Sequence, residues 1–139
     1  MENLKAIPPA LAPLIPPMQL EITRNYLKEY SASLIALENS LNHCQKIGET
    51  DGMKEHPVIF HYFWSSTDYY ICEFDRTDLM FGYGILNGDL PNSEWGYFSL
   101  TEIKRSILMN IDYHFPDLSI EVALYLAYPR YFKKPEGQT

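Results

Sequence analysis

Three aromatic runs separated by polar bends occupy the middle of the chain, and this pattern directs it toward an antiparallel sheet. Residues 57–106 read PVIFHYFWSSTDYYICEFDRTDLMFGYGILNGDLPNSEWGYFSLTEIKRS. Aromatic and β-branched side chains suit a half-buried pleated surface, whereas Ser, Thr, Asp and Asn suit the bends between strands. The runs predict strands at 58–64, 69–74 and 79–86, joined by four-residue loops at 65–68 and 75–78. Asn87-Gly88-Asp89 and Pro91-Asn92 then turn the chain into a short fourth strand at 94–98. In this register His61 lies opposite Cys72, Cys72 opposite Phe81, and Phe63 opposite Tyr70, which faces Tyr83.

Alternation sorts these residues onto two faces. Ile59, His61, Phe63, Tyr70, Cys72, Phe74, Leu79, Phe81, Tyr83 and Ile85 form the better core face. The other carries Val58, Phe60, Tyr62, Trp64, Tyr69, Ile71 and Glu73, then Met80, Gly82, Gly84 and Leu86. It too is apolar, which is unusual for a sheet with one wet face. Either the N-terminal arm or the C-terminal segment covers it, or it binds a partner. Gly82 and Gly84 leave a bare strip there, open to a covering side chain or forming a groove beside Tyr62, Trp64 and Tyr69. Tyr62, Trp64, Tyr69 and Glu73 are therefore the candidate partner-binding residues.

The flanks complete a single α+β domain spanning 1–139: a small antiparallel sheet of about four strands, a long N-terminal helix and a capped helix after the last strand. Pro8, Pro9, Pro13, Pro16 and Pro17 make residues 1–17 an extended arm, read as a strap over the domain. Residues 18–47 form one long helix, with Leu27, Tyr30, Leu34, Leu37, Leu41 and Cys44 in an apolar stripe and Gly48 as its stop. The stripe packs across the chain's own sheet, with a homodimer through a coiled coil as the alternative. Ser99 and Glu102 form a capping box, and Phe98 with Ile103 its staple, for a helix at 99–110. Residues 117–128 favour a helix with Leu118, Val122 and Tyr125 inward, a strand being the alternative, and Pro129 stops either.

Within this framework Tyr69-Tyr70-Ile71-Cys72-Glu73-Phe74-Asp75, Met80-Phe81-Gly82-Tyr83 and Gly96-Tyr97-Phe98-Ser99-Leu100-Thr101-Glu102-Ile103 stand in order. Together they resemble the conserved block of the bacterial domain-of-unknown-function family 2958. Trp64-Ser65-Ser66 departs from that family's Thr-Pro-containing turn. The family is associated with plasmids, phages and other mobile elements and has no assigned activity. The resemblance thus implies the fold core and a mobile-element setting, and no catalytic residue.

The net charge of −7 disfavours direct nucleic-acid binding, which needs cations to displace counterions from phosphate. Two cysteines, Cys44 and Cys72, give no disulfide framework and read as buried thiols. His61 beside Cys72 lacks further ligands, so no metal site is predicted, and no cofactor motif is present. Gly82-x-Gly84 has neither the third glycine nor the lysine of a phosphate loop. No serine lies in a nucleophile-elbow context, and Glu73, Asp75 and Asp78 cluster at a solvated bend. With no signal peptide or membrane span evident, the expectation is a cytoplasmic, noncatalytic protein-binding or regulatory module, the aromatic strip supplying contact area and the acids steering a basic partner. Its alternatives are an enzyme with a noncanonical pocket using Glu73 and His61, and an acidic DNA-mimic inhibitor.

Overall fold

Trp64 pairs directly with Thr67, so the first hairpin closes through only two residues, Ser65 and Ser66, with Ser65 at φ 53°. In the computed structural model, which describes residues 3–136, this hairpin joins β1 (Phe60–Trp64) to β2 (Thr67–Phe74). The tighter turn shifts the expected register by two residues: His61 faces Tyr70, not Cys72, and Phe63 faces Asp68, not Tyr70. A two-residue slip leaves every side chain on its expected face, because the pleat repeats every two.

The second hairpin leads to β3 (Leu79–Ile85). Asp75 Oδ1 accepts the N–H groups of Thr77, Asp78 and Leu79 at 2.8, 2.8 and 3.0 Å, and Arg76 adopts φ 67°. Tyr70 pairs with Tyr83 as the sequence predicts. Between Ile71 and Glu73 the register shifts, so that Glu73, not Cys72, pairs with Phe81. Such a bulge inserts one unpaired residue and reverses the alternation beyond it. Phe74 consequently joins Phe60 and Ile71 on the face opposite its predicted one.

β3 pairs on its other side with β4 (Glu94–Ser99), and a fifth strand, β5 (Asn110–Ile111), pairs with β1. The sheet is antiparallel, in the order β4-β3-β2-β1-β5. The helix expected at 99–110 is a single turn, α3 (Leu100–Ile103). Ser99 caps it by accepting the Glu102 N–H at 3.2 Å, but the chain then leaves the helix and Asn110 enters the sheet. The unpaired side of β1 captured this segment, an outcome no local cap could reveal.

Helical layers cover both faces. The larger core lies on the face carrying Phe60, Tyr62, Ile71 and Met80, which the sequence ranked second. The N-terminal arm is not fully extended: it forms a 3-10 turn at Ala12–Leu14 and buries Leu11, Leu14 and Ile15 in that core. Beside it stand α1 (Pro17–Asn25) and α2 (Leu27–Asn42), separated at Tyr26 by φ −127° and ψ 46°. No proline or glycine makes this break. Gln19 clasps Ile111 in both directions, at 2.8 and 2.7 Å, and Thr23 shares a 2.7 Å hydrogen bond with Tyr113, while α2 buries Leu34, Leu37 and Leu41. Interrupting a helix costs one or two backbone hydrogen bonds of about 1 kcal/mol each, and these three tertiary bonds offset it. The predicted continuous rod at 18–47, and with it the long stripe a coiled-coil homodimer would use, is thus replaced by two helices of 9 and 16 residues.

On the opposite face α4 (Ile120–Ala127) lays Ile120, Ala123 and Leu124 over Tyr70, Cys72, Tyr83 and Ile85. Residues 117–128 therefore do contain the favoured helix, capped by Ser119 accepting the Val122 N–H at 3.1 Å. Its fully buried side is not the predicted Leu118, Val122 and Tyr125, because Val58 N–H to Leu118 O and Ile120 N–H to His56 O fix how the helix enters.

Candidate functional site

The four residues singled out by sequence do not form a surface. Tyr62 is 0% exposed, its hydroxyl donates to Leu14 O at 2.6 Å, and burial pushes the phenol well above its ordinary range. Tyr69 is half-buried, packed edge-on against Phe98 at 5.1 Å, its phenol raised by burial and then by Glu102. Phe98 also fills the glycine strip: a Cβ on Gly84 would sit 2.8 Å from its ring. At Gly82 a Cβ would fall 1.9 Å from Tyr70 O, so the strip reflects close packing and not a groove. Trp64 alone of the four stays open, 44% exposed at the end of β1.

Glu73 is 1% exposed and sits beside Thr50 and Cys72, away from the other three. Its carboxylate accepts the Gly48 N–H at 2.7 Å, the Thr50 N–H at 2.9 Å and the Thr50 hydroxyl. Burial alone would raise its pKa, but these donors hold it below the ordinary 4.5. The bulge that turns Glu73 to this side is invisible to strict alternation.

Open aromatic surface lies instead on β4, at the sheet edge. Trp95 is 37% and Tyr97 62% exposed, on the same face as their partners Tyr83 and Phe81. Phe81 stacks with Trp95 at 5.9 Å and 17° and meets Tyr97 at 5.0 Å, while Trp95 also rests on His56 at 4.6 Å. These contacts back each ring on one side and leave the other open. Beyond Trp95 opens a cavity of about 480 Å³ between Tyr83, Leu124, Phe132 and Lys133.

The backbone of β4 is equally available. Leu79 O accepts from Asp75 N–H, so the odd-numbered residues of β3 turn their polar groups toward β2 and the even-numbered ones toward β4. On β4, the N–H and C=O groups of Trp95 and Tyr97 consequently point outward. Neither proline nor lysine interrupts the strand, and its pairing with β3 has no bulge, although natural edges usually carry such protection. Glu94 and Glu102 are exposed near its two ends, and neither enters an ion pair among the described residues. The Trp95–Tyr97 alternation was visible in the sequence, but nothing there distinguished an edge strand from an inner one.

The titratable clusters are internally engaged. His61 Nε2 donates to Asp68 Oδ1 at 2.7 Å, its ring stacks on Tyr70 at 4.6 Å and 5°, and its buried Nδ1 has no hydrogen-bond partner among the described residues, with Asp112 Oδ2 3.7 Å away. His56 bonds Glu121 at 2.7 Å. Ser33 Oγ lies 2.8 Å from His114 Nε2, but it is buried inside α2, where neighbouring amides already bond within the helix. The Cys72 thiol is pushed up to about 12, chiefly by burial. A cleft of about 410 Å³ between α2 and residues 111–117 contains His43 and Asp112, yet His43 Nδ1 donates to Asn39 O and Asp112 accepts the His114 N–H. Among the described residues no group of three His, Cys, Asp or Glu could hold a metal ion, and no helix is long and apolar enough to cross a membrane. No family model, curated protein or solved structure matches the chain, so the resemblance to family 2958 rests on the residues quoted above.

Proposed function

We propose that this protein is a noncatalytic binding module that recognises another protein through β4. One observation carries the reading: a strand edge with no partner strand among the described residues, presenting Trp95 and Tyr97 backed by Phe81 and His56. Large rigid aromatics with polar tips supply contact area at low entropic cost and dominate many interfaces. A regulatory role in a mobile element accords with the resemblance of the sheet region.

The alternatives have less support. An enzyme built on Glu73 and His61 would need an accessible acid and base, but the Glu73 carboxylate is buried among Gly48 and Thr50 donors and His61 Nε2 is tied to Asp68. A DNA mimic needs carboxylates displayed outward in an array, but Asp68, Asp75 and Asp78 bond His61, the second hairpin loop and Ser99 with Thr101. Affinity capture from the native host tests the proposal, with Trp95→Ala, Tyr97→Ala and Trp64→Ala compared and folding verified by circular dichroism. Loss of the captured protein with the first two, and not with the third, is expected. Undiminished capture by the β4 variants would refute it.

A further inference from the structure

Resting on the reading of β4 as the binding site, we infer that the partner is a basic, extended segment that adds to this edge as a sixth strand. The six-residue β4 offers a longer template than β5, which has two residues at the other edge. The outward N–H and C=O groups of Trp95 and Tyr97 stand one hydrogen-bonding repeat apart, the arrangement strand addition uses. On one face, alternate side chains of the incoming strand would meet Trp95 and Tyr97. On the other they would pass Gly96, where the nearest atom to an added Cβ is Phe98 Cζ at 4.0 Å, leaving room for a side chain.

Charge selects among occupants. Glu94 sits exposed at one end of the edge and lines the cavity beside Trp95 together with Glu121. Glu102 instead lies in α3 past the other end, near Tyr69, and β4 itself carries no cation. Lys104 is turned away to Pro13 O at 2.6 Å, and Lys133 lines the cavity beyond Trp95. Lys or Arg near the Trp95 end of the incoming strand would meet Glu94 and Glu121, and Tyr97 and Trp95 add favourable ring faces for a cation. A second copy of the chain would instead bring together two bodies of charge −7.

Selection of random twelve-residue displayed peptides on the full-length protein tests this inference. The expected winners are rich in Lys and Arg, alternate them with aromatic or β-branched residues, and protect the Trp95 and Tyr97 amides from hydrogen exchange. N-methylation of alternate amides should abolish binding in one parity and spare it in the other. Glu94→Lys should weaken binding about tenfold or more, less so at high salt. Acidic winners, no winners, binding indifferent to N-methylation in both parities, or a dimer by light scattering that uses β4 would each overturn the inference. If peptides still need Trp95 and Tyr97 but ignore N-methylation, strand addition falls and the binding site stands. If the aromatic variants bind undiminished, the site itself falls.

Discussion

Glu73→Gln exchanges one carboxylate oxygen for an amino group at a position where every neighbour is a donor. The wild-type carboxylate accepts from Gly48 N–H, Thr50 N–H and the Thr50 hydroxyl, with almost no solvent access. Glutamine keeps one oxygen, so its amino group must oppose at least one backbone N–H. A hydrogen bond to a charged group contributes about 1.5–3 kcal/mol, and a buried donor left unsatisfied costs about 1–3 kcal/mol. These ranges overlap, because part of the second is already counted in the first, and the net loss comes to about 2–4 kcal/mol. The entropy of unfolding, about 2.1 cal/mol/K per residue, gives about 0.3 kcal/mol/K for 139 residues. Tm should therefore fall by roughly 7–13 °C at pH 7. The folded-state pKa of Glu73 lies below its ordinary 4.5, so its contribution is fully present above that pH and is lost as pH falls through the folded value. Thermal melts followed by circular dichroism from pH 7 into the acid range should thus show the gap between wild type and variant closing. Equal melting at pH 7, or a gap unchanged by acid, would refute the assignment of Glu73 as the anionic anchor of the Gly48–Thr50 loop.

Other consequences follow from single contacts. Tyr62→Phe strands the Leu14 carbonyl; it should cost about 1–2 kcal/mol in urea unfolding and speed proteolysis within the N-terminal arm. Gly82→Ala should destabilise by about 1–3 kcal/mol or prevent folding, since its Cβ would collide with Tyr70 O, whereas Gly96→Ala should stay within about 0.5 kcal/mol in the same assay. A thiol reagent at pH 8 should modify only the partly exposed Cys44 in the native protein and both cysteines after denaturation, read by intact mass, because the buried Cys72 thiol titrates only near 12.

The strands at the centre were legible because their signal is local. Aromatic runs of alternating direction between turn-forming residues admit few other folds, and even a hairpin two residues shorter than expected kept His61 and Tyr70 on one face. Ser99 was legible as a cap for the same reason, acting on an amide three residues ahead, whereas the Ser119 cap emerged only in the structure. The candidate site was not. Tyr62 and Trp64 share a face by alternation, yet the arm buries the first and leaves the second open. Glu73 left that face through a bulge that no residue type announces. Asn110 reads as a helix end and becomes a strand only because β1 had an open side.

The amino-acid sequence by itself therefore determined which segments extend, where they turn and which positions alternate, since these follow from side-chain shape and backbone preference over a few residues. The tertiary structure alone decided which apolar face lay deepest, where the long helix broke and which strand became the edge. Those outcomes depend on which distant segments reach a given surface first in free energy: the arm against Tyr62, Gln19 against Ile111 and α4 against Tyr70. Trp95 and Tyr97 remain exposed because no segment described in the structure adds a strand beyond β4.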